Sequence, residues 1–278
     1  MSDRRVLITG AARGIGAALA LRLHARGDRV ALIGLEPDLL ARVAGRAGDA
    51  RWQECDVTDR AQVDAAVDDM VNALGGLDVV VANAGVAAQL PLVGGDPAIM
   101  ERTLAVNVLG TYYTLRAAGP HISHPGGYAL AIASLAAAVH LPLLGAYNAS
   151  KAAVEALANT LRVELRSSGA RVGVGYFAEL DTDMTSRGFG TEAAAKLRAR
   201  RPYMRVAPLE VGIDALERGI SRRARRIVAP RRVAPLLPLR MAVQPLLDRA
   251  LQRGLDEALQ VARSEQAPLT TLQPEVST

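Results

Sequence analysis

A tyrosine and a lysine four residues apart are the residues of this sequence best suited to proton chemistry. Among 33 lysines and arginines, only Lys151 and Lys196 are lysines. The segment around Tyr147 and Lys151 has strong helical propensity, so the two side chains are expected to share one helix face. An ammonium beside a phenol lowers the phenol pKa from about 10, which predicts acid–base chemistry at Tyr147. A compact ammonium suits this position better than the wide, planar fork of arginine.

Two further polar residues are expected to join this pair. Ser134 ends the apolar segment YALAIAS, and its hydroxyl is expected to hold a substrate oxygen beside Tyr147. Asn107 interrupts the apolar segment LAVNVLG, where we expect it to anchor a water molecule in a proton relay. A surface ion pair or ordinary capping hydroxyls would explain any one of these residues. These ordinary roles do not explain why all four residues are expected together, near the ends of the strands of one sheet.

A glycine-rich loop near the N-terminus has the composition of a pyrophosphate site. The segment TGAARGIG follows the first apolar strand and opens the first helix, with glycines at positions 10, 14 and 16. Glycine lets backbone N–H groups approach a ligand closely, and a helix N-terminus favours negative charge. The spacing differs from the GxGxxG fingerprint, and no Lys-Ser/Thr follows as in a P-loop.

Other strand ends supply further candidate contacts to a nucleotide. Asp56 follows the third strand, where its carboxylate is expected to accept from an adenine amino group. Residues 83–85, NAG, end the fourth strand, and their backbone can lie along a ribose. In an open parallel sheet, ligands bind outside the carboxyl ends of the strands. These segments are therefore expected to meet at one edge.

Alternation of strand-like and helical segments predicts the framework that positions these residues. Short apolar runs such as RRVLITG alternate with helical periodicity, as in IGAALALRLHARG, as far as RVGVGYF at 171–177. This order is typical of an α/β protein with a Rossmann-type, doubly wound parallel sheet and helices on both faces. We expect one domain over residues 1–232, with a substrate loop or lid at 183–208. Residues 233–278 are expected to form a C-terminal helical extension with a disordered tail.

Composition and charge narrow the functional classes. Only 3% of residues are aromatic, so base stacking and a nucleic-acid partner are not expected despite the net charge of +5. Cys55 is the only cysteine, and the four histidines lack ligand spacing, so no metal site is expected. No segment resembles a signal peptide or a membrane span, and we expect a cytoplasmic protein. The basic C-terminal segment is expected to pack on the domain or a second subunit, with membrane-surface contact as the alternative.

These motifs together resemble the short-chain dehydrogenase/reductase family over about residues 4–184. The resemblance is carried by TGAARGIG, Asp56, Asn83-Ala84-Gly85, Asn107, Ser134 and Tyr147-x3-Lys151. It implies a sheet of about seven strands, a nicotinamide cofactor, and a homodimer or homotetramer. It also implies a catalytic tetrad that moves a hydride and a proton between an alcohol and a carbonyl. In that tetrad Tyr147 is the acid/base, Ser134 steadies the substrate oxygen, Lys151 holds the nicotinamide ribose and Asn107 supports the relay.

The resemblance further implies a set of cofactor contacts. They are Gly10, Arg13, Gly14, Ile15, Gly16, Gly34, Leu35, Glu36, Asp56, Val57, Asn83, Ala84, Gly85, Tyr147, Lys151 and Thr182. Thr182 stands where the family's threonine contacts the nicotinamide carboxamide. Phe177-Ala178 departs from the usual Pro-Gly, which affects the backbone expected beside the nicotinamide.

The choice between NAD and NADP depends on the second strand end and the glycine loop. Gly34 replaces the aspartate usual for NAD, and Leu35 stands where NADP-preferring members often have arginine. Glu36 can bond ribose hydroxyls and repel a 2′-phosphate, whereas Arg13 can pair with that phosphate. We expect NADP or NAD, with a slight preference for NADP.

The sequence as a whole predicts an oxidoreductase for a hydrophobic secondary alcohol or ketone. The segments AVHLPLLG and VAAQLPLVGG flank the expected site and supply mostly apolar walls. One alternative is a catalytically silent nucleotide-binding sensor or scaffold. Another is a membrane-associated protein that uses the basic C-terminal segment.

Overall fold

Seven parallel strands form the sheet in the described part of the chain. A computed structural model describes residues 3–182, 184, 185, 191–199, 206–252, 254–265 and 269. The strands are β1 (Arg5–Thr9), β2 (Arg29–Gly34), β3 (Arg51–Glu54), β4 (Val79–Ala82), β5 (Tyr128–Ile132), β6 (Arg171–Phe177) and β7 (Arg226–Ala229). Their order is β3-β2-β1-β4-β5-β6-β7, and each neighbouring pair is parallel. The predicted doubly wound α/β fold is confirmed.

Helices cover both faces of this sheet. Those in the described residues are α1 (Gly14–Ala25), α2 (Pro37–Arg46), α3 (Arg60–Leu74), α4 (Pro97–Leu104), α5 (Gly110–Ile122), α6 (Gly145–Glu164), α7 (Glu192–Ala199), α8 (Leu209–Ser221), α9 (Leu236–Leu251) and α10 (Leu255–Ser264). Helices α1, α2 and α8 pack on one face, and α3, α5 and α6 pack on the other. The strands β1, β2, β4, β5 and β6 are therefore buried on both sides, which explains their continuous apolar sequences, whereas the edge strand β3, RWQE, is largely exposed.

The core is built from small and branched aliphatic side chains, with Tyr128 as the largest fully buried side chain. The Tyr128 hydroxyl donates to the Ala224 carbonyl oxygen at 2.8 Å, which satisfies its one buried polar group. Gly173 on the neighbouring strand makes room for the ring, because a Cβ there would lie 2.1 Å from the Tyr128 hydroxyl oxygen. Gly173 thus accommodates the largest fully buried ring of the core.

The sheet has its switch point beside β1, which is flanked by β2 on one side and β4 on the other. The chain leaves β1 and β4 toward opposite faces, so a crevice opens at their carboxyl ends. The glycine loop follows β1 and residues 83–85 follow β4. The two predicted nucleotide segments therefore meet at this crevice.

The C-terminal extension packs back on the domain through α9 and α10. Arg240 of α9 forms an ion pair with Glu155 of α6 at 3.0 Å. In the part of the chain that the structure describes, no helix is long and apolar enough to cross a membrane. The domain boundary near residue 232 stays a prediction. Residues 183, 186–190 and 200–205 of the predicted lid, and the predicted tail apart from Leu269, lie outside the described residues.

Candidate active site

Tyr147 and Lys151 lie one turn apart on the same side of α6, as their spacing predicted. The Lys151 Nζ is 5.5 Å from the centroid of the Tyr147 ring. Both residues are buried, with Tyr147 8% exposed and Lys151 4% exposed. Helix α6 begins at Gly145, so the pair occupies the end of the helix nearest the crevice.

Lys151 is held by backbone at the end of β5. Its Nζ donates a hydrogen bond to the Ile132 carbonyl oxygen at 3.0 Å. A Cβ at Gly85 would lie 3.1 Å from the Asn107 Oδ1 and 3.4 Å from Nζ, so Gly85 leaves room chiefly for Asn107 and lies in contact distance of the ammonium. Burial lowers the pKa of Lys151 from 10.5 to about 8. The group therefore carries its charge at neutral pH and loses it in mildly alkaline solution.

Burial dominates the ionisation of Tyr147. It raises the pKa of Tyr147 from 10.0 to about 12, and a hydrogen bond with Ser134 opposes part of that rise. The direction is opposite to the sequence-based expectation of a lowered pKa. An ammonium 5.5 Å from the ring centre does not compensate for the loss of water around the phenol. The phenol is thus protonated at neutral pH and able to donate its proton.

Ser134 follows β5 directly, and backbone groups fix its hydroxyl. The hydroxyl donates to the Phe177 carbonyl oxygen at 3.2 Å and accepts from the Ala136 N–H at 3.1 Å. The Phe177 side chain is buried in the core beside Gly175, where a Cβ would lie 3.0 Å from the ring. Phe177 in place of the family's proline therefore adds a core side chain, while its backbone carbonyl accepts from Ser134 as that of any residue could.

Asn107 is fully buried in a π-helical turn, Ala105–Leu109, between α4 and α5. Its Oδ1 accepts from the Val86 N–H at 2.8 Å. Its Nδ2 donates to the Val86 carbonyl oxygen and to the Ser150 Oγ, both at 2.9 Å. Both amide hydrogens are thus donated to protein groups, and the expected role of Asn107 in anchoring a water molecule stays a prediction. Asn107 braces the loop after β4 against α6.

Sequence reasoning missed Ser150, which connects Asn107 to the reactive helix. Ser150 is fully buried, and its Oγ donates to the Tyr147 carbonyl oxygen at 2.8 Å. A serine in an alanine-rich helix carries little signal, because its hydroxyl ordinarily bonds back to the preceding turn. Only its contact with Asn107, 43 positions away, distinguishes it.

The glycine loop closes tightly around β1. Gly10 and Gly14 have φ angles of 62° and 54°, a region that side chains rarely tolerate. A Cβ at Gly16 would lie 2.3 Å from the Gly10 carbonyl oxygen. The Asn83 Nδ2 braces the loop by donating to the carbonyl oxygens of Thr9 and Gly10, at 2.9 and 3.1 Å. The segment that follows β4 therefore fixes the conformation of the glycine loop.

Arg13 and Glu36 form an ion pair across the cleft. The Arg13 Nε donates to one Glu36 carboxylate oxygen at 2.7 Å, and a terminal guanidinium nitrogen donates to the other. Both side chains are partly exposed, and Gly34 and Leu35 line the cleft beside them. The two residues that were expected to favour different cofactors are therefore partners in this structure.

Asp56 is already engaged by two neighbouring groups. Its carboxylate accepts from the Thr58 backbone N–H and hydroxyl, at 2.9 and 2.8 Å, and from Arg102 at 2.9 Å. Burial raises the pKa of Asp56, but these hydrogen bonds outweigh it and hold the pKa below its usual value. No pattern in the sequence marks Arg102, which lies 46 residues further along. An adenine amino group would share this carboxylate with both partners.

One cleft of about 460 Å³ brings nearly all the predicted site residues together. It is lined by every predicted cofactor contact except Gly16, and by the predicted catalytic residues Ser134, Tyr147 and Lys151. Gly16 and Asn107 lie behind the lining and support it. Within the described ranges, no cluster of His, Cys, Asp and Glu is suited to a metal ion.

Apolar side chains surround the reactive end of the cleft. Leu141, Leu144 and Met184 pack with Tyr147 in one small cluster. The C-terminal helix α9 adds Leu236, Leu247, Ala250 and Leu251 to the lining. The sequence predicted the first of these walls but not the second. The contribution of α9 to the cleft had no signal in its mixed pattern of prolines, leucines and arginines.

Known proteins are similar to this chain in sequence and in fold. A family model described as short chain dehydrogenase matches residues 4–193. The D-threitol dehydrogenase of Mycolicibacterium smegmatis is 38% identical over 177 residues, 62% of this chain and 68% of that protein. The cis-4-hydroxycyclohexanecarboxylate dehydrogenase of Sinomonas cyclohexanicum is 34% identical over 77% of this chain and 88% of that protein. A solved short-chain type dehydrogenase/reductase from Mycobacterium ulcerans has a TM-score of 0.73 and 26% identity, covering 82% of this chain and 88% of that one.

The fold and the cleft define a Rossmann-type α/β protein with a glycine loop at the switch point of its sheet. The chain belongs to the short-chain dehydrogenase/reductase family of oxidoreductases. The resemblance noted in the sequence is therefore confirmed.

Proposed function

We propose that this protein is an NAD(P)-dependent oxidoreductase that transfers a hydride between nicotinamide and a hydrophobic secondary alcohol or ketone. The observation that carries the proposal is a buried phenol and ammonium, facing a serine hydroxyl at the apolar end of one cleft. Burying an ammonium is unfavourable, as the lowered pKa of Lys151 shows. A protein that only bound nucleotide could use the ammonium but would have no need of a buried phenol beside it.

The cleft fits a dinucleotide. Gly10 and Gly14 present bare backbone at the N-terminus of α1, where the helix dipole favours a pyrophosphate. A Cβ at Gly14 would lie 3.9 Å from Thr182, so both can border one ligand. When bound, the nicotinamide supplies or accepts the hydride. Lys151 is proposed to hold its ribose, and Thr182 its carboxamide.

Tyr147 is the proposed acid/base. During ketone reduction its phenol donates a proton to the substrate oxygen, and during alcohol oxidation it takes that proton back. With a pKa of about 12, Tyr147 is ready to donate at neutral pH. Oxidation requires the phenolate, so its rate rises with pH. Ser134 steadies the substrate oxygen, and Asn107 acts through Ser150 by holding α6 in place.

The ion pair between Arg13 and Glu36 shifts our proposal from NADP toward NAD. A 2′-phosphate would have to replace the Glu36 carboxylate as the partner of Arg13 while lying close to that carboxylate. Ribose hydroxyls can instead donate to Glu36 without breaking the pair. Repulsion between the Glu36 carboxylate and a nearby 2′-phosphate would disfavour NADP, so the cofactor without that phosphate, NAD, is favoured.

The apolar lining supports a small hydrophobic substrate. Leu141, Leu144 and Met184 offer no hydrogen bonds to a polyhydroxylated compound. Two relatives are named as dehydrogenases of a polyol and of a hydroxycarboxylate, which supports an alcohol or carbonyl substrate, and the proposed apolar character rests on the lining alone. A homodimer or homotetramer is proposed from the family resemblance.

Replacing Tyr147 with phenylalanine tests the function. The change removes the proposed proton donor, so ketone reduction, followed by loss of reduced-nicotinamide absorbance, is expected to fall at least a thousandfold. Binding of the reduced dinucleotide, followed by its fluorescence, should persist. Tyr112→Phe is the matched control, since Tyr112 is 45% exposed on α5 and should retain full activity. Unchanged turnover in the Tyr147 variant would refute the proposed role.

A further inference from the structure

Helix α9, beyond the last strand, has one face toward the cleft and one toward solvent. Leu236, Leu247 and Leu251 line the cleft, and Leu251 is only 5% exposed. Leu239 and Leu246 lie on the outer face and are 53% and 64% exposed. Adjacent leucines of one helix therefore differ in whether they contact the site. Leu246 and Leu247 form the clearest such pair.

A two-point clamp fixes α9 to the loop that joins Ser134 to Tyr147. The Gln244 Oε1 accepts from the His140 N–H at 2.9 Å, and the Gln244 Nε2 donates to the His140 carbonyl oxygen at 3.0 Å. This amide pairing imitates the bonds between neighbouring strands. It ties α9 to the chain segment that carries Val139 and Leu141, two other residues of the lining.

The second C-terminal helix fixes another segment near the site. The Glu265 carboxylate, just after α10, accepts from the backbone N–H groups of Glu192 and Ala193 at the start of α7. Lys196 of α7 pairs with Glu257 of α10 at 2.7 Å. The C-terminal extension is therefore fastened both to the loop beside the reactive residues and to α7, which follows Met184.

We propose that α9 is the specificity wall of the substrate site, and that Leu247 and Leu251 set how long an apolar substituent the site accepts. The proposal rests on the proposed function and names its substrate class. The substrate is a ketone or secondary alcohol whose aliphatic chain ends against α9. The wall offers branched aliphatic side chains, so it discriminates by length and shape. Such discrimination amounts to about tenfold or more per methylene group.

Variants of Leu247 test the wall with straight-chain methyl ketones of increasing length. Leu247→Ala is expected to move the highest kcat/KM toward longer ketones by two or more carbons. Leu247→Phe, which keeps the apolar surface, is expected to move it toward shorter ones. Leu246→Ala is the matched control and should keep the wild-type profile. Identical profiles for the Leu246 and Leu247 variants would overturn the proposal.

A binding measurement separates this proposal from the proposed function. Displacement of the dye 1-anilinonaphthalene-8-sulfonate by the same ketones requires no turnover. In one outcome the wild type reduces no ketone, while the chain length that displaces the dye best changes in the Leu247 variants and not in the Leu246 variant. In that case the proposed function is wrong and the specificity wall stands. If ketones are reduced but neither profile shifts, the wall is wrong and the function stands.

Gln244 is the proposed positioning residue of the wall. Gln244→Leu removes both hydrogen bonds to His140, so the KM for long ketones is expected to rise at least fivefold while kcat changes less than twofold. Gln252→Leu, an exposed position at the end of α9, is the control and should change neither. A lower kcat at constant KM, or no change in either, would overturn this role for Gln244.

Discussion

Replacing Lys151 with methionine is expected to make the protein more stable at pH 7 while abolishing its activity. Methionine has nearly the same length and no charge, so it removes the penalty of a buried ammonium. Burial lowers the pKa of Lys151 from 10.5 to about 8, which measures that penalty. The activity is lost because the proposed contact to ribose requires the charged group.

The size of the effect follows from two terms. A pKa lowered by about 2.5 units corresponds to about 3 kcal/mol at 1.36 kcal/mol per unit. Methionine cannot donate to the Ile132 carbonyl oxygen, and the loss of that hydrogen bond costs about 1 kcal/mol. The net expectation is a gain of about 2 kcal/mol in the free energy of unfolding.

The gain depends on pH in a defined direction. Between the folded pKa of about 8 and the unfolded value of 10.5, the unfolded chain binds more protons at Lys151 than the folded chain does. Wild-type stability therefore rises with pH through this window. The advantage of the methionine variant is full below pH 8 and fades as the pH rises toward 10.5.

Urea unfolding between pH 6.5 and 9.5, followed by far-ultraviolet circular dichroism, measures both effects. Lys196→Met is the matched control at the only other lysine, whose side chain is 33% exposed and paired with Glu257. It should give no stabilisation and no alkaline trend. The reasoning is refuted if Lys151→Met is less stable than the wild type at pH 7, or if its advantage is equal at both ends of the range.

Three further predictions follow from the cleft. Glu36→Gln removes the carboxylate that would repel a 2′-phosphate, so kcat/KM with NADP should rise about tenfold relative to NAD; an unchanged ratio would contradict the ion-pair argument. Gly16→Ala forces a Cβ to within 2.3 Å of a carbonyl oxygen, so titration should show dinucleotide binding lost and urea unfolding a destabilisation of about 1–3 kcal/mol. Gly45→Ala, with open space around it in α2, should instead be neutral or stabilising. Burial raises the pKa of the Cys55 thiol to about 12, which lowers its thiolate fraction about a thousandfold, so a disulfide reagent should label it only on unfolding.

The fold was largely predictable because its signals are local. Most strands are short apolar runs, with the polar edge strand β3 as the exception, and the helices have a periodicity of their own, so the α/β alternation can be recognised one segment at a time. The crevice was predictable for the same reason, since a parallel sheet brings its carboxyl ends to one edge. The glycine loop and residues 83–85 are recognisable without knowledge of their partners.

Contacts between distant segments were not predictable in the same way. Arg13 and Glu36 were both identified, but only the folded chain shows that they neutralise each other. Arg102 reaches Asp56 across 46 residues, and no local pattern marks it. The packing of α9 on the cleft is likewise a contact between segments that are distant in the sequence, so no local pattern predicts it. Its inward leucines cannot be told from its outward ones until the partner surface is known.

Burial also determines the direction in which the pKa of Tyr147 is shifted. The sequence-based expectation was a lowered pKa, and the structure gives a raised one. Helical spacing fixes the proximity of Tyr147 and Lys151 but not the amount of water around them. With both residues more than nine-tenths buried, loss of water raises the pKa of the phenol and lowers that of the ammonium. Each shift favours the neutral form. The pair in the folded chain is therefore a neutral phenol beside an ammonium that can readily lose its proton.

The same surroundings explain why an arginine-rich chain has a lysine at this position. The described contact of the Lys151 ammonium is a single backbone carbonyl at Ile132, and a Cβ at Gly85 would already lie 3.4 Å from Nζ. A guanidinium would bring five donors in a rigid plane into this pocket, most of them without acceptors. It would also stay charged at any accessible pH, whereas a buried ammonium can shift its pKa and adapt to its ligand. Lysine is thus the cation that the pocket can bury with one hydrogen bond and still leave available for the proposed contact with a ribose.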